Sequence, residues 1–99
     1  MSIDATIIEE AIAKYVAVPV ETLRGKSRKS ACVKARHFSI YFLHNKYGFT
    51  GGQLSKLYNT TRHRIFDICN LMDTYRRIDA VYRSELLDVE SILDDIVSE

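Results

Sequence analysis

Membrane spans, disulfide frameworks and turn-rich β folds all need residues that this chain has in short supply. Its 99 residues include one proline, four glycines and two cysteines. An all-β sandwich or barrel needs turn signals about every 8–12 residues, so a mainly helical chain is favoured. No apolar run approaches the roughly 18 residues of a membrane span, and the first residues are not the basic start of a signal peptide. The sequence therefore predicts one all-α domain, because a chain of this length has room for a single core.

The motifs of several enzyme classes are also missing. Cys32 and Cys69 lie far apart, without CxxC or Cys/His spacing, which is typical of a reducing compartment and gives no zinc site. His37, His44 and His63 lack the grouping that a metal ion needs. The phosphate-binding motif GxxxxGK[ST] is absent. We therefore expect no enzymatic activity, no metal and no cofactor.

Acidic residues are absent from the middle of the chain. Residues 23–64 contain ten basic side chains and neither aspartate nor glutamate, whereas residues 81–99 contain one arginine and six acids. The ten are Arg24, Lys26, Arg28, Lys29, Lys34, Arg36, Lys46, Lys56, Arg62 and Arg64. This asymmetry is typical of a protein that binds nucleic acid or another anionic surface, and the alternative is a solvated face whose charges happen to segregate.

Apolar periodicity and capping residues predict five main helices. The first covers about residues 4–16 with Asp4 as its cap, and the second covers about 29–47, with one helical turn at 20–23 between them. Thr50 and Gln53 form a capping box that opens a short helix to about residue 58. A break at 59–61 precedes a helix to about residue 76, and an acidic C-terminal helix covers about 80–97. A short helix, a tight turn and a longer helix form the helix-turn-helix pattern, here at about residues 50–76.

Two of these helices carry apolar stripes that predict which faces are buried. The second helix is expected to bury one face and to turn another outward. The buried stripe consists of Ala31, Ala35, Phe38 and Phe42, widened by Cys32, Ser39, Leu43 and Tyr47, and the outward residues are Lys34, His37 and Tyr41. The last helix is expected to close one side of the core through Tyr82, Leu86, Val89, Leu93 and Ile96.

The predicted helix-turn-helix indicates where DNA would be contacted. Such a unit places the start of its second helix in the major groove, where arginine can hold the O6 and N7 atoms of guanine. Arginines at this end oppose the helix macrodipole, and that local misfit indicates a function. The alternative is a helical hairpin with incidental surface arginines. The predicted residues of this helix start are Thr60, Thr61, Arg62, His63 and Arg64.

Two further basic segments complete the predicted DNA site. The basic arm, residues 24–29, supplies Lys26, Arg28 and Lys29 and could enter the minor groove, unless it is an ordinary solvated loop. The second helix supplies Lys34, Arg36 and His37, which form a strip suited to phosphate contacts or are plain surface charge.

Four stretches of the chain resemble the C-terminal DNA-binding domain (domain IV) of the bacterial replication initiator DnaA. These are VPVETLRGKSRK, VKARHFSIYFL, TGGQLSKLYN and TTRHRIFDIC. The resemblance covers about residues 5–97 and implies a DnaA domain IV or Trp-repressor-like fold. It also implies that Arg28 is the minor-groove arginine, that Arg36 contacts phosphate, and that Lys34 and His37 occupy neighbouring positions of that helix. The last stretch departs from the family, since it is one residue shorter and has Thr61-Arg62-His63-Arg64 where the family has Asp-His-Thr-Thr.

The resemblance implies sequence-specific binding of double-stranded DNA in the control of replication or transcription. The ATPase domain of the initiator is not part of this sequence. A protein of this kind could occupy initiator sites, act with a replication initiator or another replication protein, or serve as a phage or mobile-element regulator. We expect a cytoplasmic, nucleoid-associated monomer without membrane contact. The alternative is a protein-interaction module that kept the initiator fold and lost DNA recognition, with the acidic last helix as its contact surface.

Overall fold

Helices account for about three quarters of the described residues. The computed structural model describes residues 3–97 and contains, within that range, six α-helices and no strand. They are α1 (Ala5–Val16), α2 (Glu21–Arg24), α3 (Ser30–Asn45), α4 (Gly51–Leu57), α5 (Arg62–Ile78) and α6 (Ala80–Val97). The predicted all-α class is confirmed. Five of the six are the predicted main helices, and α2 is the single helical turn expected between the first two of them. No helix among the described residues is long and apolar enough to cross a membrane.

Local capping explains where most helices begin. The Asp4 carboxylate accepts a hydrogen bond from the Thr6 amide at 2.9 Å. At α4 the Gln53 amide donates to the Thr50 hydroxyl and the Thr50 amide donates to the Gln53 side chain, so the predicted capping box is confirmed. Helix α1 ends at Val16 as predicted, and the chain leaves it through Ala17 in the left-handed conformation, with φ of 66°.

Helix α3 lies at the centre of the molecule and packs against α1, α2, α4 and α5. Its second half is buried on several sides, and Ile40 and Leu43 are fully buried. The predicted burial of Leu43 is thus confirmed, whereas Ile40 lies outside the predicted stripe. The prediction was wrong for two residues of this helix, since Tyr41 is buried and Ala31 is exposed.

Helix α6 forms one wall of the core against α5 and α1. Three of its five predicted stripe residues, Leu86, Val89 and Leu93, are buried, whereas Ile96 is exposed at the end of the helix. The turn before it is fixed by Arg83, whose guanidinium donates to the last carbonyls of α5 at 2.7 and 2.8 Å. The acidic helix is thus an integral part of the domain.

Candidate nucleic-acid interface

A groove runs between the basic arm, the first half of α3 and the turn that joins α4 to α5. It encloses about 370 Å³, and we call it the arm groove. The arm forms one wall, α3 the floor, and the turn with the first turn of α5 the other wall. Six of the eleven predicted DNA-binding residues line it, namely Lys26, Arg28, Arg36, His37, Thr60 and Arg64. Segments far apart in sequence therefore meet at one surface.

The turn before α5 is built from local chemistry. Asn59 takes a left-handed conformation, with φ of 51°, which asparagine tolerates better than most residues. The Thr60 amide donates to the Ser55 carbonyl at 2.9 Å, which ties the turn to α4. The Thr61 hydroxyl then accepts from the Arg64 amide at 3.1 Å and caps α5. This cap occupies the Thr61 oxygen as an acceptor, so the hydroxyl is left chiefly as a donor for any DNA contact.

The three side chains that follow the cap diverge. Arg64 lines the arm groove. Arg62 lies over α4, where a Cβ added to Gly52 would be 3.4 Å from its Nε, so the glycine leaves room for the guanidinium. His63 is 88% exposed, and its Nε2 lies 3.3 Å from a carboxylate oxygen of Asp67 one turn later. Only one of the three therefore belongs to the groove itself.

His37 occupies the floor of the arm groove and is half-buried. Burial lowers the pKa of its imidazole, and the positive charges of Arg64 and Arg36 lower that pKa further. The ring is therefore neutral at neutral pH and offers one N–H donor and one acceptor. Its proximity to Arg64 connects α3 to the first turn of α5.

The guanidinium of Arg36 is bonded to the backbone of the arm and of α2. Its Nε donates to the Leu23 carbonyl at 2.8 Å, and its Nη2 lies 3.1 Å from the Thr22 carbonyl oxygen and 3.0 Å from that of Ser27. Nη1 is the one guanidinium nitrogen left out of these bonds. The residue predicted to contact phosphate thus spends most of its hydrogen-bonding capacity within the protein.

Three of the ten basic residues form ion pairs with acids from outside the acid-free segment. Arg24 pairs with Glu9, and Lys46 pairs with Asp94 of α6 at 2.7 Å. Lys34 pairs with Glu85 of α6 and also lies over the Tyr82 ring. The Lys34 ammonium is therefore paired with α6, and its side chain lines a second pocket together with Arg28 and His37. Within residues 3–97, six of the ten have neither an ion-pair partner nor a backbone carbonyl partner: Lys26, Arg28, Lys29, Lys56, Arg62 and Arg64.

Sequence reasoning missed a buried carboxylate behind the arm groove. Glu9 is 2% exposed and accepts from Arg24 through both of its oxygens, at 2.6 to 3.1 Å. It also accepts from the Tyr58 hydroxyl at 2.8 Å. Burial, together with this carboxylate, raises the pKa of Tyr58. Glu9 thereby joins α1 to the base of the basic arm and to the turn before α5, which are the two walls of the groove.

A local signal for this carboxylate exists in the sequence. Glu9 is one helical turn from both Ala5 and Ile12, on the face of α1 that the apolar residues bury. A charge at such a position indicates a buried partner, since an unpaired carboxylate there would be very costly. The identity of the partners could not be obtained in the same way, because they lie 15 and 49 residues further along the chain.

The described part of the chain contains no group of three or more His, Cys, Asp or Glu side chains placed to hold a metal ion. Comparison with protein-family models and with curated proteins finds no match to this chain.

Proposed function

We propose that the protein binds duplex DNA through the arm groove, in the control of replication or transcription. The start of α5 would lie in the major groove and the basic arm in the neighbouring minor groove. The observation that carries this proposal is the convergence of six predicted DNA-binding residues from three segments on one groove. Three of them, Lys26, Arg28 and Arg64, have no carboxylate partner among residues 3–97.

The shape of the groove suits the backbone of a duplex. A single sugar–phosphate strand separates the major groove from the adjacent minor groove, so a protein that enters both must straddle that strand. Arg28 on one wall and Arg64 on the other would flank it, and His37 would face it from the floor. The N-terminal end of α5 adds a partial positive charge beside the same strand. We infer that one phosphodiester strand occupies the arm groove.

The size of the molecule sets the length of the contact. Its longest dimension is 33 Å. One turn of B-form DNA is about 34–36 Å long, so a single copy would cover about one turn. We therefore propose that the protein binds as a monomer to a site of about one turn of duplex.

Salt dependence is the direct test of this function. The six basic residues without protein partners are the candidates for phosphate contacts, and each contact contributes about −0.9 to the slope of log K against log salt. If five or six of them meet phosphates, the slope is expected to be about −5. Duplexes selected from a random library, measured by fluorescence anisotropy between low and moderate salt, give both the slope and the preferred sequence.

The opposite result has a clear meaning. A slope near zero, or no binding to any duplex at low salt, would leave the protein-interaction module as the better description of this chain. If the selection enriches no sequence but the salt slope is steep, the protein binds DNA without sequence specificity.

A further inference from the structure

The basic arm has no regular secondary structure after Gly25, yet hydrogen bonds hold it at its first residue and at Ser27. Where it leaves α2, Arg24 is anchored to the buried Glu9 carboxylate by three hydrogen bonds. The carbonyls of Thr22 and Leu23 in α2, and that of Ser27 within the arm, all accept hydrogen bonds from the Arg36 guanidinium of α3. The arm therefore has a defined position without DNA.

Arginine is the one side chain that can make this arrangement. The three carbonyls belong to residues 9, 13 and 14 positions before Arg36, and they converge on two nitrogens of one planar guanidinium. Two of them belong to α2, a four-residue helix with few internal partners for its carbonyls. Lysine carries one nitrogen on a flexible chain and cannot reproduce the fork.

We infer that Arg36 is a positioning residue for DNA binding, in that it holds the basic arm in the conformation that presents Lys26 and Arg28 to the duplex. It acts on affinity through those two residues. This inference rests on the proposed function and deepens it. An arm that is already placed does not have to be ordered when DNA binds, so more of the contact energy is realised as affinity.

The decisive variant is Arg36→Lys, which keeps the charge and removes the fork. If Arg36 contacted phosphate directly, lysine would preserve most of the affinity and the salt slope. If Arg36 is instead a positioning residue, its replacement should release the arm. The salt slope should then become shallower by about 2, because the phosphate contacts of Lys26 and Arg28, about 0.9 each, are lost. Arg77→Lys is the matched control, since the exposed Arg77 side chain bonds no backbone carbonyl among the described residues and lies outside the arm groove, and it should keep both affinity and slope.

A double-mutant cycle separates the two roles further. In the Lys26→Ala/Arg28→Ala background the two side chains that Arg36 is inferred to position are gone, so adding Arg36→Lys should change DNA affinity less than twofold. In the wild-type background the same substitution should weaken binding about as much as removal of the two arm charges. Equal effects of Arg36→Lys in both backgrounds would show independent contacts and overturn the inference.

Two readouts do not depend on DNA. Trypsin should cleave after Lys26, Arg28 and Lys29 slowly in the wild-type protein and at least tenfold faster in Arg36→Lys, while the circular dichroism of the two proteins agrees. In the wild-type protein, the Nε–H resonance of Arg36 should exchange slowly with water and should stay in place when duplex is added. If Arg36→Lys does not fold, this resonance decides the matter, because rapid exchange or a large shift on DNA addition contradicts a held arm.

The outcomes keep the two proposals apart. Wild-type protein that binds no duplex removes the proposed function and this role of Arg36 together. Wild-type protein that binds with a steep salt slope, while Arg36→Lys binds equally well and resists trypsin equally, removes the positioning role alone.

Discussion

The basic side chains of the acid-free segment carry the same charge but have different bonding partners. Arg24 is bonded to a buried carboxylate, Arg36 to backbone carbonyls and Lys46 to an aspartate of α6, whereas Arg64 lines the arm groove without an acidic partner among the described residues. A count of basic residues therefore overstates the number available to a polyanion. Their partners, which come from α1, α2 and α6, decide which of them are available.

Arg64→Ala and Lys46→Ala form a matched pair that tests this distinction. Both remove one positive charge from the same acid-free segment. Arg64→Ala is expected to cost about 1–3 kcal/mol on the preferred duplex and to relax sequence preference, if the guanidinium makes a paired guanine contact. Lys46→Ala should leave DNA affinity within about twofold, since its charge is already paired with Asp94. Equal losses for the two variants, measured by anisotropy titration, would contradict the assignment of Arg64 to the groove.

The partners of the Glu9 carboxylate give a large expected effect on stability outside the apolar core. Arg24→Met leaves that carboxylate buried with Tyr58 as its remaining partner, and breaking a buried ion pair in this way costs about 3–5 kcal/mol. We expect the lower end of that range, because the Arg24 side chain is 41% exposed. Tyr58→Phe should cost about 2 kcal/mol, as a hydrogen bond to a charged group is lost. Urea unfolding measures both.

Two controls belong to this experiment. Glu10→Ala, on the exposed neighbour, should change the free energy of unfolding by less than about 0.5 kcal/mol. Glu9→Leu combined with Arg24→Met should recover much of the loss, because the uncompensated charge is gone. A double variant as unstable as the sum of its parts would show that the pair is not coupled.

His37 makes the stability of the free protein depend on pH. Because its pKa is lowered in the folded state from the ordinary value of 6.5, the unfolded chain binds more protons below neutrality. Its contribution to the free energy of unfolding is therefore present above about pH 6.5 and is lost as the pH falls toward the folded pKa. His37→Gln, measured by urea unfolding between pH 7.5 and 5, should flatten this part of the profile. An unchanged profile would place the pH dependence at other groups.

At the scale of elements, the parts of the fold that follow from neighbouring residues were predictable. The capping box at Thr50 and Gln53 and the four buried residues of α5 follow from spacing alone. The faces of α3 did not follow, because a helix surrounded by four others is buried on several sides and its pattern is no longer a single stripe. Helix boundaries came within about two residues for the same local reasons.

The candidate site shows the same division. The residues of the arm, of the first half of α3 and of the start of α5 were predicted from charge and the helix-turn-helix pattern, and six of these eleven share one groove. The pairing of Lys34 with Glu85 and the bonds of Arg36 were not predictable, since they depend on how distant helices pack. Sequence patterns report which residues lie on a helix face. They do not report which helix lies opposite.

Helix α6 should not be dispensable for folding. Its buried residues Leu86, Val89 and Leu93 close the core, and its acids hold Lys34 and Lys46. Deletion of residues 80–99 is expected to abolish the cooperative thermal unfolding transition and to cause aggregation. Deletion of residues 95–99 alone keeps every one of those contacts and should retain the transition. A soluble, cooperatively folding protein without α6 would show that the helix is a separate tail.

At the scale of the whole molecule, the formal net charge of +1 describes the protein poorly. Acids of α1 and α6 pair with Arg24, Lys34 and Lys46 of the acid-free segment, and the arm groove keeps its positive charge. Although the composition is almost neutral, ion pairing within the fold therefore leaves the arm groove as an electropositive surface. Such a surface attracts a polyanion at a distance and loses that attraction as salt is added.

The contact between Glu9, Arg24 and Tyr58 also has a consequence for the descent of this sequence. Each of the three depends on the others, because a buried carboxylate without its arginine and tyrosine is costlier than an apolar residue in the same place. A lineage that loses one of them gains stability by replacing the remaining two. Among relatives of this chain, the three positions are therefore expected to covary, and to be either all polar or all apolar.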